Sequence, residues 1–150
     1  MPLAVVDTSC LIAFERIERP ALVPALFSEA LMPPAVADEY GGVPDGFALR
    51  SLDNPSLART LCEDLDAGEA EVIALTQTCK DAVALIDEKK GRRLSREHGL
   101  SVVGTLGILL RAKRRGLISA VKPLMDTLSA TGFRLSDALY QDVLHRAGEG

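Results

Sequence analysis

The 150-residue chain has no tryptophan, few aromatics, two histidines and three cysteines, and each scarcity removes a class of function. Three cysteines (Cys10, Cys62, Cys79) are an odd number without paired spacing. They do not make a disulfide framework and read as buried thiols in a reducing compartment. No apolar run approaches the roughly 18 residues of a membrane span. The longest, around "SVVGTLGILL", is short and holds two glycines. The N-terminus lacks a basic head, and Asp7 and Glu15 interrupt any signal-like stretch, so the expectation is a cytoplasmic protein without a membrane segment. No glycine-rich motif ends in Lys-Ser or Lys-Thr, which excludes a P-loop nucleotidase. His98 and His145 stand alone near helix ends, so neither a Ser-His-Asp triad nor a histidine metal site has its parts.

What is present is a globular composition, 47% apolar and 25% charged, with no repeat and no low-complexity tract. The length suits one domain over residues 1–150. The net charge of −4 conceals an asymmetry. Between Lys89 and Arg115 stand nine Lys or Arg against one acid, Glu97, while the rest of the chain is strongly acidic. Such a run is either a solvated face or a surface that attracts a polyanion.

Short apolar runs, at 3–6, 30–34, 82–86 and 101–104, read as strands. Between and after them lie helical patterns at 9–18, 21–30, 35–40, 55–65, 67–79, 90–98, 105–115, 119–131 and 136–147, several closed by a following glycine. Residues 41–56 are rich in Gly and Pro and read as loop with an edge strand at "FALRSL", a natural place for substrate or partner contacts. Alternation of this kind predicts an α/β fold with a short parallel sheet covered on both faces. Ligands then bind at the carboxyl ends of the strands.

Carboxylates stand there. "LAVVD" and "AVALID" are apolar strands ending on Asp7 and Asp87. Alone, each serves equally well as a helix cap. Glu39 and Glu71 lie on helices. In "DAGEAEVIALTQ", Glu69 stands three residues after Asp66, as the acid of a capping box does. Glu71 falls on the less polar flank, where a carboxylate is costly unless compensated. Glu71 is therefore the preferred chemical group and Glu69 the capping one.

The segments "VVDTSCLI", "PPAVADEYG", "LDAGEAEVIALTQ", "ALIDEKKGRRLSREHGLSVVGTLGILLRAKRRGLI" and "GFRLSDALYQDVL" resemble the PIN-domain family, and more narrowly a prokaryotic branch similar to VapC-type toxins. The resemblance implies a three-layer α/β/α sandwich and a metal-dependent ribonuclease, the toxin of a toxin–antitoxin pair. It implies an acid cluster made here of Asp7, Glu39, Glu71 and Asp87, a small antitoxin partner and a homodimer. The family more often has Asp at the third position and a Thr-x-Asp motif at the fourth, where this chain has Glu71 and "IDEKK".

Crowded carboxylates repel one another, and Mg²⁺ or Mn²⁺, which prefer oxygen ligands, removes that cost. Hydrolysis of an RNA phosphodiester is the implied reaction, with the cation stabilising charge on the phosphoryl and leaving oxygens. Ser9 either serves the site or helps cap the first helix. Arg92, Arg93, Arg96, Arg111 and Arg114 are candidate phosphate contacts. Thr105, at a helix N-terminus, is either another phosphate seat or a plain cap. A haloacid-dehalogenase-type phosphatase would need an Asp where Ser9 stands. The competing class is a PIN-like scaffold that binds RNA or a partner protein without cutting.

Overall fold

The computed structural model describes residues 2–150. In chain order the elements are β1 (Leu3–Val6), α1 (Thr8–Arg16), α2 (Leu22–Leu26), β2 (Glu29–Met32), α3 (Pro34–Tyr40), β3 (Phe47–Leu49) and α4 (Pro55–Leu61). They continue with α5 (Ala67–Thr78), β4 (Ala82–Leu85), α6 (Lys89–Glu97), β5 (Ser101–Val103), α7 (Thr105–Arg114), α8 (Lys122–Ala130) and α9 (Asp137–Arg146).

The five strands pair in parallel in the order β3-β2-β1-β4-β5. β1 is central, with Ala4 opposite Ala30 of β2 and Val6 opposite Leu85 of β4. Helices α4, α5 and α6 pack on one face, and α1, α2, α7, α8 and α9 group on the other. The expected three-layer α/β/α sandwich is what the chain forms. Val5, Val6, Leu31, Leu85, Ile86, Ile73, Leu75, Ile108, Leu109, Met125 and Leu128 are all buried within it. Central strands covered on both faces explain why β1 and β4 are apolar without alternation.

Element ends follow local chemistry. Asn54 and Asp66 cap α4 and α5 through the amides of Leu57 and Glu69. Ser136 caps α9 through Leu139. The helix expected over 21–30 is shorter, because the chain turns extended at Phe27 and β2 already begins at Glu29. Three helices lack a capping side chain of their own and take a carboxylate from a distant segment. Glu71 Oε1 accepts from Ala35 N of α3 at 2.9 Å. Asp87 Oδ1 accepts from Thr105 N of α7 at 2.7 Å. Glu149 accepts from Val121 N at 2.8 Å and Lys122 N at 3.0 Å at the start of α8. A carboxylate at a helix N-terminus satisfies orphan amides and meets the positive end of the dipole.

From β1 the chain winds outward to β3, then returns to the other side of β1 for β4 and β5. The strand order therefore reverses between β1 and β4, where open α/β sheets hold their ligands. Asp7 sits in that crevice, its amide donating to Leu85 O at 3.1 Å.

Candidate active site

At the β1–β4 crevice lies a pocket of about 270 Å³. Asp7, Thr8, Ser9 and Ile12 line it from the end of β1 and α1, Glu39 from α3, Asp66 and Glu69 from the start of α5, and Glu88 from the start of α6. Five carboxylates and no basic side chain line it. Asp7 is only 5% exposed and Glu69 4%. Asp7 occupies the cap position before α1 but gives that helix no capping bond, and Ser9 Oγ donates to its Oδ2 at 3.3 Å.

The electrostatics follow from burial among like charges. Burial, then repulsion from Asp66 and Glu39, lifts the Asp7 carboxyl from 3.8 to about 7. Burial first, then Asp66, Asp7 and Glu88, lifts Glu69 from 4.5 to about 8. Two buried oxygens on the pocket wall, Thr8 Oγ1 and Glu69 Oε2, have no hydrogen-bond partner among the described residues. Buried polar atoms are almost always satisfied, so two orphans on one wall point to a missing partner. Close approach also fixes the neighbouring residue types. A Cβ on Gly91 would fall 2.7 Å from Glu69 Oε2. One on Gly104 would fall 2.8 Å from both Asp87 Oδ1 and Arg92 Nη1.

Hard oxygen donors, excess negative charge and orphaned acceptors fit a divalent cation such as Mg²⁺ or Mn²⁺. Among the described residues no three His, Cys, Asp or Glu side chains are already gathered into an ion-binding cluster. An ion here would draw on one or two carboxylates and complete its shell with water or phosphate, as Mg²⁺ commonly does.

The four acids singled out from the sequence divide in two. Asp7 and Glu39 line the pocket; Glu71 and Asp87 do not. Glu71 is turned to Ala35 N, and Glu69 takes the place expected of it. The reason lies in α5, which is buried from Gly68 through Thr76 except at half-buried Glu71. A helix enclosed on nearly all sides has no polar face by which a wheel could orient it. Asp87 accepts from Thr105 N and Thr105 Oγ1, both at 2.7 Å, and from Cys10 Sγ at 3.4 Å. Glu88 lines the pocket in its stead. Asp66, Glu69 and Glu88 also line the pocket. The first two were read from the sequence as a capping pair, and Glu88 was marked only by standing beside Asp87.

Of the expected nucleic-acid contacts, Ser9 is exposed on the pocket wall. Thr105 is completely buried with its amide and hydroxyl spent on Asp87, so it offers no seat to phosphate. Arg92, Arg93 and Arg96 lie on α6, which begins at the pocket. Arg111 and Arg114 lie toward the far end of α7, on the other face of the sheet. The Arg111 guanidinium stacks 5.9 Å from the Phe27 ring centre, so it does not join the acids. Of the cysteines, Cys10 is buried, Cys79 half-buried and Cys62 exposed, which corrects the expectation of three buried thiols.

A larger groove of about 430 Å³ along α8 and α9 is lined by Asp126, Asp137 and Tyr140 among others. Its chemistry is already answered: Tyr140 and Lys122 hydrogen-bond Asp126 and hold its carboxyl below the usual range. No helix among the described residues is long and apolar enough to cross a membrane.

The fold and pocket together define an α/β/α protein with a carboxylate site at its topological switch point. Residues 3–149 match the family model described as a PIN domain, and the chain belongs to the PIN-domain family, whose members are generally nucleases. No curated protein and no solved structure matches the chain.

Proposed function

We propose that this protein is a metal-dependent ribonuclease that hydrolyses RNA phosphodiester bonds at the switch-point pocket, and that it acts as the toxin of a toxin–antitoxin pair. One observation carries the proposal: five carboxylates converge on a pocket that holds two orphaned buried oxygens and no balancing cation. Asp7 and Glu69 are the first residues to hold Mg²⁺ or Mn²⁺, with Glu39, Asp66 and Glu88 contributing directly or through water. When bound, such an ion supplies charge neutralisation at the phosphoryl and leaving oxygens and lowers the pKa of nearby water. The chain's own residues do the rest. Asp7 and Glu69 retain protons near neutrality while the pocket lacks a cation, and release them as one binds. Ser9 holds Asp7 in place through its hydrogen bond. The toxin role and a homodimer rest on the resemblance, and a cytoplasmic location rests on the unpaired cysteines and the absence of a signal-like stretch. A small antitoxin offering an Arg or Lys to this pocket fits its charge.

The test is cleavage of mixed cellular RNA by the purified protein with Mn²⁺ and with EDTA, alongside Asp7→Asn and Glu69→Gln. Cleavage should require Mn²⁺ and fall by at least about a hundredfold in both variants, since even groups that merely orient metal ligands cost 10–100-fold. An intact, Mn²⁺-binding protein that cuts no RNA would instead favour the noncatalytic scaffold.

A further inference from the structure

Helix α6 is strongly basic. Behind the N-cap Glu88 its first turn carries Lys89, Lys90 and Arg92, and Arg96 follows in the last turn beside Glu97. Lys89, Arg92 and Arg96 follow one another at i, i+3 and i+7, a row on one face where like charges three and four apart repel. Other cations on this helix are answered. Lys90 pairs with Asp64 at 3.8 Å and Arg93 with Glu97 at 3.9 Å. Among the described residues, the side chains of Lys89, Arg92 and Arg96 make no ion pair or hydrogen bond, and of the three only Arg92 has its guanidinium set beside a carboxylate, that of Asp87 across Gly104. Arg92 is half-buried, its guanidinium lodged above Gly104 where no side chain could stand.

The row starts where the pocket ends. Glu88 lines the pocket, and the next residue is Lys89. From Lys89 to Arg96 the helix rises about 10 Å, at 1.5 Å per residue, so the row tracks one short stretch of backbone. We infer that Lys89, Arg92 and Arg96 form a phosphate track that leads a single-stranded polynucleotide across α6 into the acidic pocket. This deepens the nuclease proposal and rests on it. A polyanion along the row offsets the repulsion within it. A single straight row feeding a small concave pocket suits one flexible strand. A duplex, stiff over some 150 base pairs, cannot bend its backbone into such a pocket without melting.

The experiment is fluorescence anisotropy of a short labelled single-stranded RNA and of its duplex, titrated with protein in EDTA over a range of salt. EDTA stops cleavage and leaves the row intact. Three phosphate contacts at roughly 0.7 each predict a slope of log affinity on log salt near −2 for the single strand. Arg96→Ala alone should reduce the slope by about 0.7, and the triple variant Lys89→Ala, Arg92→Ala, Arg96→Ala should remove nearly all of it. Arg114→Ala, on the opposite face, should leave it unchanged. A slope that survives the triple variant, equal loss in Arg114→Ala, failure of the strand to bind, or equal binding of the duplex each overturns the track. Failure of the nuclease proposal is separable. In that case Mn²⁺ would bring no cleavage while the salt slope and its loss in the triple variant remained.

Discussion

Glu69 and Glu149 are both withdrawn from solvent, and the protein treats them in opposite ways. At Glu149, burial raises the carboxyl, but the Lys113 ammonium at 2.8 Å and the amides of Val121 and Lys122 outweigh it, and the group falls from 4.5 to about 2. At Glu69, burial and three neighbouring acids act together, no cation answers, and the group rises to about 8. The first carboxylate is finished within the fold: it caps α8, holds Lys113, and so fastens the segment after α9 to α7. The second is left unfinished. A buried acid whose partners are all acids is costly to the folded state until something binds. What surrounds each acid, not its burial, separates the paired Glu149 from the unpaired Glu69.

Among the substitutions, the largest stability effect should come at the finished site. Glu149→Ala leaves Lys113 half-buried and unpaired and α8 uncapped. It should cost about 2–3 kcal/mol in urea unfolding, with or without Mn²⁺. The pH dependence also has a sign. Glu149, lowered in the folded state, contributes stability above its unfolded pKa near 4.5 that is lost as pH falls toward 2.

Asp7 and Glu69 run the other way. Raised in the folded state, they favour folding below their unfolded values of 3.8 and 4.5, and that contribution fades as pH climbs through about 7 and 8. In EDTA the urea stability should therefore drop by several kcal/mol between pH 5 and pH 8, about 6 if the two groups titrate independently. A flat profile would mean that the pocket acids are already relieved. Mn²⁺ should flatten or invert the slope.

The smallest effects fall on the adjacent pair Asp87 and Glu88. Asp87→Asn keeps an oxygen for Thr105 N and should cost about 1 kcal/mol while sparing Mn²⁺ affinity. Glu88→Gln should leave stability unchanged and weaken Mn²⁺ binding severalfold. Isothermal titration of both variants reads the difference, and the reverse order would return Asp87 to the metal.

Much of this was legible in the sequence. Apolar "LAVV" and "AVAL" read as buried strands of a parallel sheet, and Asp7 stood at the end of the first, on the ligand side, as a cap or a site acid. Residues 41–56 likewise carried their edge strand, now β3. What stayed hidden was long-range. Glu71 was read as a site acid from its apolar flank, Asp87 from its strand end, and both from the resemblance; their hydrogen-bond partners lie 36 and 18 residues away at the starts of α3 and α7. The adjacency of β1 and β4 depends on strand order, which hydrophobic patterning does not encode. The basic run was legible as charge, but only packing separates the α6 row beside the pocket from Arg111, stacked on Phe27 elsewhere.

The central claim, that the switch-point acids form a cation site, is tested most directly by thermal melting of wild type and Asp7→Asn, each in EDTA and in Mn²⁺. The account predicts that Mn²⁺ raises the wild-type midpoint through linkage, by about 2–4 °C for each kcal/mol of binding. Asp7→Asn should lose most of that rise and, at pH 8, above the value near 7 at which Asp7 ionises, melt at or above wild type in EDTA, because one buried repelling charge is gone. If Mn²⁺ shifts neither protein and Asp7→Asn is simply less stable in both conditions, Asp7 is a helix cap and the cation site is contradicted.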